Sequence, residues 1–215
     1  MIGSGCRDAL DAILFILESR SQIRFLRFGE YVSQPGFSTR ALRWRDGKDV
    51  EKLFFSSKSE REFDLPRKLL TRDYLETLIK GLIPGHALNL LSRIKTSGIS
   101  RETHLAIAAL CDCGEGDVTS EFVDLARIVL TSMGGDTPLP HGFILNSGNG
   151  LHLISNGLLY EQEDFHRFCG KLLLAGDFAD TRYIGHKLLA GELSVRIAKK
   201  DPNGKIQIPQ VLTSW

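Results

Sequence analysis

The sequence predicts an α+β fold in which helices flank a mixed or antiparallel sheet. Residues 7–18 place leucines and isoleucines at helical spacing, so this segment is predicted to be an amphipathic helix. Residues 105–110 form a short apolar run followed by turn residues, which is typical of a strand buried on both faces. Residues 141–156 contain two apolar stretches around a glycine-rich turn, and such hairpins join antiparallel strands.

The first hundred residues are predicted to form a lobe of helices and hairpins. Residues 24–32 alternate in the manner of a strand, and Asp46-Gly47 is a strong hairpin signal in the middle of residues 40–56. The first strand of this hairpin carries three arginines and Trp44, which suits the backbone and a base of a nucleic acid. A solvated outer face with Trp44 turned to the core fits the same pattern.

Residues 66–96 are predicted to be helical with one interruption. An apolar stripe over residues 70–79 indicates a helix, and Gly81 and Pro84 would end it. Residues 87–94 are predicted to begin a second helix.

The second half of the chain alternates between strands and helices. The buried strand 105–110 is followed by a helix that turns Phe122 and Val123 inward and has Asp117 or Thr119 as its cap. The remaining predicted elements are the hairpin 142–154, a helix over 161–174, a strand over 193–198, a turn over 201–204 and a last strand over 205–211. We predict an N-terminal lobe over residues 1–102 packed on a core over residues 103–215, as one compact unit.

The composition restricts the class of protein and the kind of partner. Hydrophobic residues make up 42% of the 215 residues and charged residues 25%, as in a soluble globular protein. The net charge of +1 gives no global attraction to nucleic acid, so a polyanion site must be a local patch. No apolar run reaches the roughly 20 residues that span a bilayer, and the first residues do not resemble a signal peptide. We expect a cytoplasmic protein without a membrane partner, whose four scattered cysteines are free thiols.

The turn Ser147-Gly148-Asn149-Gly150 is the strongest candidate for a binding site. Its glycines allow positive φ and close approach of the backbone to a ligand. Ser147 begins the turn and His152 follows it, so a hydroxyl, an imidazole and turn amides could together bind a phosphate or a triphosphate. An ordinary hairpin turn followed by a hydrogen-bonded histidine explains the same residues.

Acidic and basic residues elsewhere in the second half could complete such a site. Asp112 follows a buried strand and Asp180 precedes a basic segment, and two acids that meet there would suit magnesium or manganese. Each acid has a structural alternative, since Asp112 could bind the amides of its own turn and Asp180 could cap a helix. The cations that could neutralise a triphosphate or a template phosphate are Arg182, Lys187, Arg196, Lys199 and Lys200.

The order of these features resembles the catalytic domain of the archaeo-eukaryotic primase superfamily, the primase-polymerases. Over about residues 103–212 the chain contains, in this order, a strand ending in Asp112, a helix, the segment SGNGLH, a second helix, and Asp180 before HKLLAGELSVRI. The family has an acidic pair on a strand, a serine-to-histidine motif that binds the incoming nucleotide, and a later single acid. The resemblance implies an RRM-like core, a divalent metal, a nucleoside triphosphate and a single-stranded DNA or RNA template, with a partner subunit or a helicase as further partners.

The resemblance assigns a role to each candidate residue. It implies Asp112, Asp180 and His152 as catalytic residues, and Asp112, Glu115 and Asp180 as metal ligands. The residues that it implies for nucleotide binding are Ser147, Gly148, Asn149, Gly150, His152, Arg182, His186, Lys187 and Arg196.

One position departs from the family pattern. The first motif has acids at i and i+2, which point to one face of a strand, but the second position here is Gly114. Glu115 or Asp117 could reach the site only if the backbone bulges or turns there, which Gly114 and Gly116 permit. Three interpretations follow: an active primase-polymerase, a relative that binds nucleotide or nucleic acid without catalysis, and an unrelated α+β interaction protein.

Overall fold

The computed structural model describes residues 5–32, 61–97, 102–110, 119–131, 141–148 and 150–215. Five helices and nine strands lie within these ranges, as an α+β fold. The helices are α1 (Ala9–Ser19), α2 (Arg72–Lys80), α3 (Ser120–Thr131), α4 (Gln162–Leu174) and α5 (Thr181–Ala190). The strands are β1 (Ile23–Val32), β2 (Arg61–Pro66), β3 (His86–Thr96), β4 (Thr103–Ala109), β5 (Gly142–Asn146), β6 (Leu151–Leu159), β7 (Ser194–Lys200), β8 (Ile206–Gln207) and β9 (Gln210–Ser214).

All nine described strands belong to one antiparallel sheet, and this sheet forks. Its main order is β2-β1-β3-β4-β6-β5-β9, while β7 pairs with β3 and carries β8. Strand β7 pairs with residues Ala87–Leu91 of β3, and β4 pairs with Arg93 and Ile94 of the same strand. Two branches therefore leave the same strand.

Helices cover both faces of the sheet. On one face α1 packs against α2, and on the other α4 packs against α3 and α5. The side chains of Phe165, Phe168 and Leu172 of α4 are fully buried in the core. The N–H of Phe122 donates to Thr119 Oγ1 at 3.2 Å, so Thr119, one of the two predicted candidates, caps α3.

The prediction of a helix over residues 87–94 is wrong, because this segment lies in strand β3. Strand β3 has neighbouring strands on both edges and buries both of its faces. Its apolar residues are therefore not confined to alternate positions, and the spacing of Leu88, Leu90, Leu91 and Ile94 also fits a helix. Two smaller differences concern the C-terminal third. Residues 181–190 form a helix that was not predicted, and the predicted last strand is divided into β8 and β9 around Pro209.

Some predictions fall on residues that are not described. The hairpin over 40–56 with Trp44, and the Gly-rich segment that carries Asp117, lie outside the described residues. The division of the chain at residue 102 stays a prediction. None of the described helices is long and apolar enough to cross a membrane.

An ion-pair network joins the first two helices. Asp8 caps α1 by accepting from the N–H groups of Leu10 and Asp11 at 3.0 and 3.1 Å. The Arg72 guanidinium of α2 pairs with Asp8 at 2.7 Å, with Glu76 at 2.9 Å and with Asp11. Asp8 thus satisfies the start of α1 and fixes α2 against it.

We expect Asp8→Ala to lower the free energy of unfolding by about 2 kcal/mol. The lost cap accounts for about 1 kcal/mol, and the rest reflects the loss of one of three carboxylate partners of Arg72. Urea denaturation followed by circular dichroism measures the change. Asp124→Ala, which removes an exposed pair with Arg127, is the control and should change stability by less than about 0.5 kcal/mol. Equal effects of the two substitutions would contradict the role of the network.

Candidate functional site

The Ser147–Gly150 turn is held closed by its own polar groups. The N–H and the hydroxyl of Ser147 both donate to the Gly150 carbonyl oxygen, at 2.9 and 2.8 Å. The N–H of Gly148 donates to Asn146 Oδ1 at 2.8 Å, and Gly148 has φ of 90°. A side chain at position 148 would be strained at this φ, so the glycine is required by the turn. The Ser147 hydroxyl keeps its acceptor lone pairs for a ligand.

Arg196 joins this turn to β7. Its Nη2 donates to the Ser147 carbonyl oxygen at 2.6 Å. Burial lowers the pKa of the Arg196 guanidinium and the charge of Asp201 opposes this shift, but an arginine remains cationic. The fixed guanidinium therefore holds a positive charge beside the turn.

A cleft of about 210 Å³ lies between the turn and the C-terminal strands. We call it the hairpin cleft, and its lining residues are Asn146, Ser147, Gly148, Arg196, Lys199, Gln207, Ile208, Pro209 and Gln210. These residues include two cations and three side-chain amides, and no carboxylate is among them. Lys199 pairs at 3.0 Å with Asp201, which also accepts from Gln207 Nε2 at 2.8 Å. A wall of donors without a carboxylate suits an anion.

His152 of β6 is hydrogen-bonded to β7, the strand that contains Arg196. Its Nδ1 lies 3.1 Å from the Arg196 carbonyl oxygen, which can only accept, so Nδ1 carries the proton. Burial lowers the pKa of His152 to about 3, and the charge of Arg196 acts in the same direction. The neutral ring thus presents Nε2 as an acceptor, and within the described part of the chain Nε2 has no hydrogen-bond partner.

Asp180 lies near the end of β4. Leu110, which follows β4, bridges Ala179 on one side, and its N–H donates to the Leu151 carbonyl oxygen on the other at 2.8 Å. Because neighbouring strands are about 5 Å apart, Ala179 and Leu151 are separated by roughly 10 Å across Leu110. Asp180 caps α5 by accepting from the Tyr183 N–H at 3.0 Å, which is the structural alternative considered for this residue.

Two of the predicted cations have partners outside the hairpin cleft. Lys187 Nζ lies 5.9 and 5.7 Å from the ring centroids of Tyr31 and Tyr183. Burial lowers the pKa of Lys187, and the charges of Glu192 and Glu62 oppose this shift. Lys200 Nζ donates to the carbonyl oxygens of Lys80 and Leu82 at the end of α2, on the opposite face of the sheet from α5. His186 is half-buried within α5, and only the backbone of Arg182 is described.

The predicted metal ligands are only partly described. Asp112, Glu115 and Asn149 lie outside the described residues. Among the residues that are described, no group of three His, Cys, Asp or Glu side chains could hold a metal ion. Asp180 is the one predicted ligand with a described position, and one of its carboxylate oxygens is bonded to the Tyr183 N–H.

Sequence reasoning did not identify Asn146, Gln207 and Gln210 as residues of the cleft. The short spacing Asn146-Ser147-Gly148 is typical of a side chain that bonds the backbone two residues ahead, and this signal could have identified Asn146. No local pattern marks Gln207 and Gln210, since only the return of the chain through β8 and β9 brings them to the turn.

The chain matches a model of a known protein family. A model of the family described as archaeo-eukaryotic primase 1D-like matches residues 66–210, about two thirds of the chain. No curated protein and no solved structure matches the chain. The matched range begins before the segment in which the primase resemblance was found and includes the hairpin cleft, His152 and Asp180.

We expect the free energy of unfolding to fall as the pH decreases from about 6.5 towards 3. The unfolded chain protonates His152 near pH 6.5 and the folded chain does so only near 3, so stability is lost through this window. His104, whose pKa burial lowers to about 4, contributes in the same direction. Urea midpoints of the wild type and of His152→Asn at several pH values measure the effect.

The slope of stability against pH between about 6 and 5 should be roughly halved in His152→Asn, because each such histidine contributes about 1.4 kcal/mol per pH unit. His166→Asn, at an exposed position of α4, is the control and should retain the wild-type slope. An unchanged slope in His152→Asn would refute the assignment of a buried neutral ring.

Proposed function

This chain belongs to the archaeo-eukaryotic primase 1D-like family, and on that premise we propose that it is a metal-dependent nucleotidyltransferase that joins nucleotides on a single-stranded DNA or RNA template. The observation that supports the proposal best is the hairpin cleft. In it the Ser147 turn, Arg196 and Lys199 converge, and no carboxylate is among the lining residues.

The size and chemistry of the cleft favour the phosphate tail of a nucleoside triphosphate as its ligand. Its volume of about 210 Å³ is below the range of about 300–1,000 Å³ that is usual for whole small-molecule ligands. The Arg196 guanidinium has five N–H donors, of which Nη2 is bonded to the turn, and Lys199 has three. Phosphate oxygens would accept the remaining donors, while the base and the sugar would lie outside the cleft.

His152 would respond to such a ligand. Its Nε2 can accept from a hydroxyl while the ring is neutral, or donate to a phosphate oxygen once the ring is protonated. A nearby polyphosphate raises the pKa of an imidazole because it favours the cation. Binding would then take up a proton and become stronger as the pH falls below neutrality.

The metal part of the proposal depends on three acids. Asp112, Glu115 and Asp180 would hold the divalent ion, which when bound would activate a 3′-hydroxyl and neutralise the leaving pyrophosphate. Asp180 would contribute the carboxylate oxygen that is not bonded to Tyr183. The chain itself supplies the anion-binding donors and the histidine.

The second candidate function is a nucleotide-binding or nucleic-acid-binding module without catalysis. The observation that favours it is Gly114, which stands where the family pattern has its second acid. In this case the cleft would keep its affinity for a triphosphate although no bond is formed.

We expect Lys199→Gln to weaken the binding of a nucleoside triphosphate by at least about tenfold. A charge-assisted hydrogen bond contributes about 1.5–3 kcal/mol, and the substitution removes the ammonium group while it keeps a polar side chain. Isothermal titration calorimetry with ATP measures the affinity. The matched control is Lys205→Gln, which removes an exposed cation from the turn after β7 and should leave the affinity within twofold. Equal affinities of the wild type and of Lys199→Gln would exclude this cleft as the triphosphate site.

We expect Asp180→Asn to abolish template-directed synthesis without unfolding the protein. Asparagine caps a helix about as well as aspartate, so the bond to the Tyr183 N–H is kept while the negative charge is lost. Primer extension and de novo synthesis on a single-stranded template with manganese measure the activity, beside wild type and Asp112→Asn.

Product from the wild type alone would support catalysis by both acids. Full activity in either variant would contradict its role as a metal ligand. Triphosphate binding without product from the wild type would favour the second candidate function.

A further inference from the structure

An exposed aromatic side chain lies beside a cation at one end of the sheet. Phe25 of β1 is 36% exposed, although most large apolar side chains of the strands are buried. It pairs in register with Lys95 of β3 and with Pro66 of β2. Lys95 Nζ lies 5.6 Å from the centroid of the Phe25 ring. The ring is therefore available to solvent and is flanked by positive charge.

The surroundings of Phe25 have an excess of positive charge. We define the Phe25 patch as Arg24, Phe25, Arg67, Lys68 and Lys95. The ammonium of Lys95 pairs with Asp64 at 2.6 Å, and nearby Arg93 pairs with Glu102 at 2.5 Å. The other three cations have no carboxylate partner among the described residues, and the guanidinium of Arg67 donates to the Arg20 carbonyl oxygen at 2.9 Å.

Phe25 and Lys95 of the patch lie on the same face of the sheet as the hairpin cleft. Residues directly opposite each other in antiparallel strands share a face, and so do residues two apart in one strand. Phe25 and Gly29 are on one face of β1, Gly29 is opposite Asn89 of β3, and Asn89 is opposite Arg196 of β7. Four residues along β1 and two strand spacings separate Phe25 from Arg196 by roughly 16 Å.

We propose that the Phe25 patch binds single-stranded nucleic acid, with Phe25 stacked on a base and the flanking cations on phosphates. That this strand is the template rests on the proposed function. Basic surfaces with exposed aromatic rings bind single strands because every base has a face that can stack, whereas a duplex keeps its bases stacked on each other. An acidic protein would be attracted by the charges, but it would not require an exposed aromatic ring.

The test is the affinity for a fluorescein-labelled oligothymidine, measured by fluorescence anisotropy over a range of salt concentrations. Phe25→Ala should weaken binding by about 5- to 150-fold, since stacking contributes about 1–3 kcal/mol per base, and Phe25→Trp should restore it. The double variant Arg24→Gln, Lys68→Gln should reduce the slope of log affinity against log salt by about 1.4, because each phosphate contact to a single strand contributes about 0.7. Ile83→Ala, at another exposed apolar residue, is the matched control and should have no effect.

An abasic oligonucleotide of the same length separates stacking from other effects. It should bind the wild type and Phe25→Ala equally, because it has no base to stack. Equal loss of affinity for both oligonucleotides in Phe25→Ala would overturn the stacking role. Wild-type affinity in Phe25→Ala, or binding of duplex as tight as that of the single strand, would overturn the proposal.

Failure of the Phe25 patch can be told apart from failure of the proposed triphosphate site, because ATP affinity and oligonucleotide affinity are measured separately. The Phe25 variants should keep the ATP affinity of the wild type, because the hairpin cleft is roughly 16 Å away. If Lys199→Gln leaves ATP affinity unchanged while Phe25→Ala weakens the single strand, the cleft assignment fails and the patch stands. If Lys199→Gln has its effect and Phe25→Ala does not, the patch fails alone.

Discussion

Strand β3 offers one of its edges to two partners, and the hairpin cleft depends on this arrangement. A strand edge has a single row of N–H and C=O groups. Along this edge, residues 87–91 pair with β7, and Arg93 and Ile94 pair with β4. The two branches must therefore diverge. His152 on the β4 branch donates to the Arg196 carbonyl oxygen on the β7 branch, which fixes the separation between them. The cleft opens between the Ser147 turn at the end of one branch and strands β7 and β8 of the other.

The lining of the cleft carries cations but no carboxylate. The cations Arg196 and Lys199 line the cleft, while Asp180 lies beside the end of β4 at the start of α5. A carboxylate within the cleft would neutralise the guanidinium and compete with an anionic ligand. Asp201 lies next to these cations, where it pairs with Lys199 and accepts from Gln207, and thereby orients both side chains.

The sequence predicted those parts of the fold and site that local chemistry determines. The closed turn at Ser147–Gly150 follows from its glycines and short polar side chains, and the buried strand over 105–110 follows from its uninterrupted apolar run. Strand β3 was assigned to a helix because its leucines fit both periods, and only its two-sided pairing decides between them. Likewise, Gln207 reaches the cleft through the path of the chain after β7, which no local pattern encodes. Lys200 follows Lys199 directly in β7, yet it turns to the opposite face and bonds the end of α2, because successive residues of a strand alternate.

Arg196 also makes the turn and the histidine thermodynamically dependent on each other. Its side chain holds the Ser147 carbonyl oxygen and its main chain holds the His152 ring. An anion bound to the remaining N–H groups of this guanidinium would alter the field at the imidazole. By reciprocity, protonation of His152 changes the affinity for the anion by the same factor by which the bound anion changes the affinity of His152 for a proton. In the proposed site, a single arginine would thereby link proton binding to anion binding.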